Sequence, residues 1–133
     1  MFADSAFFAK TYREAFDLLR ETRDYLAYCQ TRDLAPRGAA ERLCFSREST
    51  RLTARLTDIM AWLFVQKAVA VGEMSADEAA EERHRLLRRD VCLDDTAATN
   101  DGLPRGLLSL LGRSHALYLR IARLDELMAR AAA

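Results

Sequence analysis

The chain has 133 residues, 20 basic against 20 acidic side chains, and a formal net charge of zero. At this length one domain spanning residues 1–133 is expected, and the 50% apolar content is enough to build a core and excludes global disorder. The charge balance excludes a general pull toward nucleic acid or an anionic membrane. Cys29, Cys44 and Cys92 form an odd set without the spacing of a disulfide framework or a zinc site.

Glycine and proline are scarce, at 5 and 2 residues, while Ala, Leu, Arg and Glu abound. Those residues lose little side-chain freedom on a helix, so an all-α fold is expected. The start, Met1-Phe2-Ala3-Asp4-Ser5, has no basic stretch or apolar run of the secretory type. The most apolar stretch, Ile59 to Val71, is shorter than the ~20 residues a bilayer span requires. A reduced, cytoplasmic compartment is the expectation.

The first helix is expected from about Ser5 to Gln30. Phe8, Tyr12, Ala15, Leu19, Thr22, Leu26 and Cys29 recur at steps of four and three, with Phe7, Leu18 and Tyr25 widening the face. A break follows over Thr31 to Gly38, because the residue before Pro36 is pushed out of the helical region. A second helix is expected to start between Ala39 and Ser46 and to run to about Val71. Its stripe is Phe45, Leu52, Leu56, Ile59, Leu63 and Ala70, with Ser49 and Gln66 in the same phase. Gly72 is placed to take the positive φ of a helix C-terminus.

The later half of this helix, Ile59-Met60-Ala61-Trp62-Leu63-Phe64-Val65, is apolar around nearly its whole circumference. Such a surface must be covered on all sides. Trp62, Phe64 and Val65 are therefore candidates for core packing or for contact with a second subunit.

Ser75-Ala76-Asp77-Glu78 is a capping box that opens a short, charged helix expected to reach about Arg89. An acidic loop from Asp90 to Gly102 follows, holding Asp94, Asp95 and Asp101, and loops of this length are commonly functional. The last helix is expected from Pro104, suited to the first helical position, to about Arg130. Its stripe is Leu107, Leu110, Leu111, Leu117, Ile121, Leu124 and Met128. The architecture that results is an antiparallel three-helix bundle with one extra short helix.

Little in the chain suggests reaction chemistry. Glu81-Glu82-Arg83-His84 holds one Glu-x-x-His pair, but a di-iron bundle requires two, and His115 has Gly112 three residues before it. With 2 histidines in all, imidazole networks have little material, and no phosphate-binding, dinucleotide or nucleophile-elbow motif occurs. No enzyme activity, cofactor or metal is expected. Arg47, Arg51 and Arg55, at successive steps of four, are candidates for gripping an acidic partner surface. The plain alternative is pairing with Asp17, Glu21 or Asp24 of the first helix. Asp94 and Asp95 are further candidates for partner contact.

Two stretches resemble the RcdA family, the alphaproteobacterial regulators of CtrA degradation. One is Asp4-Ser5-Ala6-Phe7-Phe8 with Thr11-Tyr12-Arg13-Glu14-Ala15. The other is Glu48-Ser49-Thr50-Arg51-Leu52-Thr53 with Arg55-Leu56, then Ala61-Trp62-Leu63, Gln66-Lys67-Ala68-Val69 and Gly72-Glu73-Met74. The resemblance implies a homodimeric three-helix adaptor of the ClpXP protease, acting in cell-cycle proteolysis and recruited to a cell pole. It also implies a ClpX-bound response regulator, a PopA-like cyclic-di-GMP-binding protein and proteolysis substrates as partners. The rival from another class is a small helical DNA-binding regulator with the Arg stripe on phosphates. The neutral charge and the lack of a helix-turn-helix signature weigh against it.

Overall fold

A computed structural model of the chain describes residues 6–81, 84–86 and 102–132. It is an all-α bundle. The long helices are α1 (Ala6–Asp24), α3 (Ala39–Ala70) and α5 (Arg105–Ala132), and the short ones are α2 (Gln30–Leu34) and α4 (Ala76–Ala79). A single π-helical turn, Tyr25–Cys29, joins α1 to α2.

The buried residues of α1 are Phe8, Thr11, Ala15, Leu18 and Thr22, and Tyr25 continues the series in the π turn. The steps of three and four are as expected, but the seam is rotated by one residue. Thr11, Leu18 and Tyr25 are buried in place of Tyr12, Leu19 and Leu26. Thr11 can be buried because its hydroxyl donates to the Phe7 carbonyl one turn back, at 2.8 Å. Helical structure also runs further than expected, to Leu34, and stops before Pro36.

The periodicity of α1 gives no sign of the π turn. Gly106 leaves room for the Tyr25 ring, and a Cβ on Gly106 would sit within 2.4 Å of Tyr25 Cε2. The Tyr25 hydroxyl then donates to Asp33 at 2.8 Å, tying α1 to α2. Burial first, and this bond second, push the Tyr25 phenol well above its ordinary pKa, while the same bond is the leading cause holding Asp33 low.

At 32 residues α3 is about 48 Å long, and two of its faces are buried. One, with Leu56, looks across a cleft toward Phe16, Leu19 and Leu26 of the first helical arm. The other reads Glu48, Leu52, Arg55, Ile59, Trp62 and Gln66, spaced by four and three, all buried. Gly72 takes φ +81° just beyond the helix, as its position predicts.

Helix directions follow from the contacts. Tyr25 lies against Phe45 and Tyr12 against Phe64, so α1 and α3 are antiparallel. Arg113 pairs with Glu21 and Arg120 with Glu14, so α1 and α5 are antiparallel too. Arg55 meets Leu111 and Ser114, whereas Trp62 meets Asp125, so α3 and α5 run parallel. The antiparallel arrangement thus holds for α1 against both partners, and α5 starts at the end of the bundle where α3 starts and α1 finishes. Consecutive helices need a short turn to be antiparallel, and residues 71–104 are too many to impose one.

Ser75 caps α4 as expected, accepting from the Glu78 amide at 3.1 Å. The helix is shorter than expected and ends at Ala79. Beyond it, Leu86 is buried and Arg85 donates to Asp125 and Glu126 on α5 at 2.9 and 3.2 Å. The segment therefore docks on the bundle rather than extending as a solvated helix. The rest of the expected helix to Arg89 and most of the acidic loop, Asp94 and Asp95 included, lie outside the described residues.

Candidate functional site

The three arginines of the expected stripe do not share one surface. Glu48, only 1% exposed, is bridged by Arg47 Nε at 3.1 Å and by Arg51 Nη1 at 2.8 Å. Its hydrogen bond, foremost, raises the Arg47 pKa further. Arg47 is mostly exposed and Arg51 largely covered. Arg55 is itself 1% exposed and donates from Nη1 to the Leu111 carbonyl at 3.0 Å and to Ser114 Oγ at 2.9 Å. It is an interior residue of the α3–α5 seam. Glu21, expected as a possible partner of this stripe, pairs with Arg113 instead.

Trp62, Phe64 and Val65 likewise point in different directions. Trp62 is buried, and its indole N–H donates to Asp125 at 3.0 Å. Asp125 also accepts from Arg85, and that bond is the leading cause raising the Arg85 pKa. Val65 is half-buried beside Asp58, His84 and Leu86. Phe64 is 52% exposed and faces Tyr12 of α1, with ring centroids 6.2 Å apart.

Behind Phe64 an aromatic row runs along α1, from buried Phe8 to half-buried Tyr12 and Phe16. Phe8, Tyr12 and Phe16 follow one another along α1 with centroids 5.9 and 5.7 Å apart. Lys67 Nζ stands 5.4 Å over the Tyr12 ring, and the Arg20 guanidinium 5.4 Å over Phe16. Phe7, 47% exposed, and Leu19 are further exposed apolar side chains of α1. Exposed Phe64 beside half-buried Tyr12 and Phe16, edged by cations, has the composition of a protein-docking face, where aromatic anchors and arginine carry association energy. The periodicity of α1 had assigned Tyr12 and Leu19 to the core. The one-residue rotation of its seam leaves Tyr12 half-buried and Leu19 exposed.

The residues of possible chemistry are dispersed. Glu81 is exposed and His84 half-buried, joined through the backbone by a His84 N–H to Glu81 carbonyl bond of 2.9 Å. Cys29 and Cys44 are half-buried thiols, and Cys92 lies outside the described residues. Among the described residues no group of three His, Cys, Asp or Glu side chains could hold a metal. No described helix is long and apolar enough to cross a membrane.

Fold and surface together define a helical bundle with a cross-linked parallel seam on one side and an aromatic face on the other. The chain belongs to the family described as "Protein of unknown function (DUF1465)", whose model matches residues 1–133. Among solved structures it is similar to RcdA from Caulobacter crescentus CB15, with a TM-score of 0.77 and 36% sequence identity. That match covers 96% of this chain and 94% of the other. The resemblance to the RcdA family carried by the Ser49–Glu73 run is thereby established over nearly the whole chain. No curated protein matches.

Proposed function

We propose that this protein is a non-enzymatic, protein-binding adaptor that helps deliver cell-cycle regulators to the ClpXP protease. The observation that carries the proposal is its 36% identity and TM-score of 0.77 to RcdA over 96% of the chain. The adaptor role is what the resemblance to that family implies. The mechanism is tethering, in which linked binding sites turn a second encounter into an intramolecular one.

The partners in this proposal are a ClpX-bound response regulator, a PopA-like cyclic-di-GMP-binding protein and the substrates themselves. Two copies associate through the aromatic face with Phe64 at its centre, while Trp62 and Val65 serve intrachain packing. Among the arginines, Arg47 and the open edge of Arg51 are positioned to meet an acidic partner surface. Asp94 and Asp95 remain candidates for partner contact.

Reconstituted degradation tests the proposal. Purified ClpXP, the response regulator and a cell-cycle substrate are combined with and without the chain, and substrate half-life is followed. The expected outcome is several-fold faster loss of substrate only when the chain is present. Half-lives that do not change with the chain, with either upstream partner supplied, would overturn it.

A further inference from the structure

Where the end of α3 meets α4 and the last turns of α5, the bundle holds an apolar cavity of about 210 Å³. Val69, Ala79, Met128 and Ala129 line it, the alanines leaving the space that larger side chains would fill. Gln66 and Trp62, both almost fully buried, form its inner wall, and exposed Asp77 stands at its edge.

Gln66 is the informative residue. It is 3% exposed and occupies the same seam phase as Arg55, Ile59 and Trp62, yet its Oε1 has no hydrogen-bond partner. A buried acceptor left unsatisfied is costly, so its presence at a cavity wall calls for a function. A carboxamide offers an acceptor and a donor side by side, and rotation of the terminal group turns either toward the cavity. That pair matches the N–H and C=O of a peptide group.

Charge narrows the ligand further. Arg85, the cation of the lining, is already engaged by Asp125 and Glu126. Among the described residues the charge left at the edge is acidic, from exposed Asp77 with exposed Glu78 beside it on α4. We propose that this cavity receives one large aliphatic side chain from a short segment of a partner protein. Gln66 pairs with that segment's backbone amide, and a lysine or arginine next to the aliphatic residue faces Asp77. The inference rests on the protein-binding role above and names the chemistry of one partner segment.

Trp62 is the only tryptophan of the chain and lines the cavity, so its fluorescence reports occupancy directly. The full chain is titrated with the blocked peptide acetyl-Gly-Lys-Leu-Lys-Gly-amide, and with versions carrying Ala for Leu or Glu for both lysines. A saturable change is expected with the first and roughly tenfold weaker binding with each of the others. Ala129→Leu, which fills the cavity, is expected to abolish the change. Gln66→Leu is expected to weaken binding by a similar factor while leaving the thermal midpoint equal or higher, an outcome that mere structural damage would not give.

Absence of a saturable change with the Lys-Leu-Lys peptide would overturn the inference. So would equal binding of all three peptides, binding unaltered in Gln66→Leu, or saturation by octanol but by none of the peptides. The degradation assay on the unaltered chain decides the adaptor role and the peptide titration decides the cavity, so each can fail without the other.

Discussion

The two sides of α3 are held in different ways. Toward α5 the contact is threaded with directional bonds, from Arg55 to Leu111 and Ser114 and from Trp62 to Asp125. Toward α1 it is carried by apolar and aromatic side chains, with the ion pairs of α1 lying at the outer edge of its contact with α5. Apolar packing tolerates sliding and rotation that a buried guanidinium does not, because a displaced polar group loses its partner without regaining water. The difference teaches that one seam sets the register of the bundle, while the other leaves a face whose aromatic groups are available.

The largest expected effect comes from breaking the bonded seam. Arg55→Ala removes a fully buried side chain together with its bonds, and a loss of about 3–5 kcal/mol in urea unfolding is expected. Arg55→Met keeps the volume, and Ser114 Oγ still donates to the Leu111 carbonyl at 3.1 Å, so about 1–2 kcal/mol is expected. An Arg55→Ala loss under about 1 kcal/mol would show that the two sides are held alike.

A smaller effect sharpens the comparison at the π turn. Tyr25→Phe deletes the bond to Asp33 and should cost about 1 kcal/mol near neutral pH. Because Asp33 is held low, its contribution is present above the ordinary carboxylate range and is lost as pH falls below that range through the lowered Asp33 value. Because the Tyr25 phenol is raised, its contribution is present below its ordinary pKa and is lost as pH rises beyond that. The gap between Tyr25→Phe and the unaltered chain should therefore close toward both acid and alkali in pH-dependent thermal melts. A gap constant across pH would break the assignment.

The smallest effect on stability is expected on the aromatic side. Phe64→Ser alters a half-exposed ring, and the fold should lose less than about 1 kcal/mol. Self-association followed by sedimentation should nevertheless weaken at least about tenfold, since a central aromatic anchor is worth about 2 kcal/mol or more at an interface. Unchanged sedimentation would remove this face from the dimer proposal.

The three long helices were legible because apolar residues recur at helical spacing and Pro36, Gly72, Ser75 and Pro104 punctuate them. The polar half of the core was less so. Arg55 was assigned to a surface stripe with Arg47 and Arg51, though it also lies in phase with Leu52, Ile59 and Trp62, and that second periodicity is the one the fold obeys. A charged residue in a seam position looks like a surface residue until its partners on another helix are known, and here they lie 56 and 59 positions away. The seat of the Tyr25 ring was hidden for the same reason, since it lies against Gly106 on α5. The parallel course of α3 and α5 carries no local signal at all.

That parallel course also sets an order of assembly. The hairpin of α1 and α3 closes over a short connection, whereas the α3–α5 bonds wait for a chain closure of more than 50 positions, which slows their formation. During synthesis the hairpin emerges first, before the α5 acceptors of Arg55 are translated. Docking of α5 adds the bonds from this cation to Leu111 and Ser114, so it is the step at which the three long helices lock into one register.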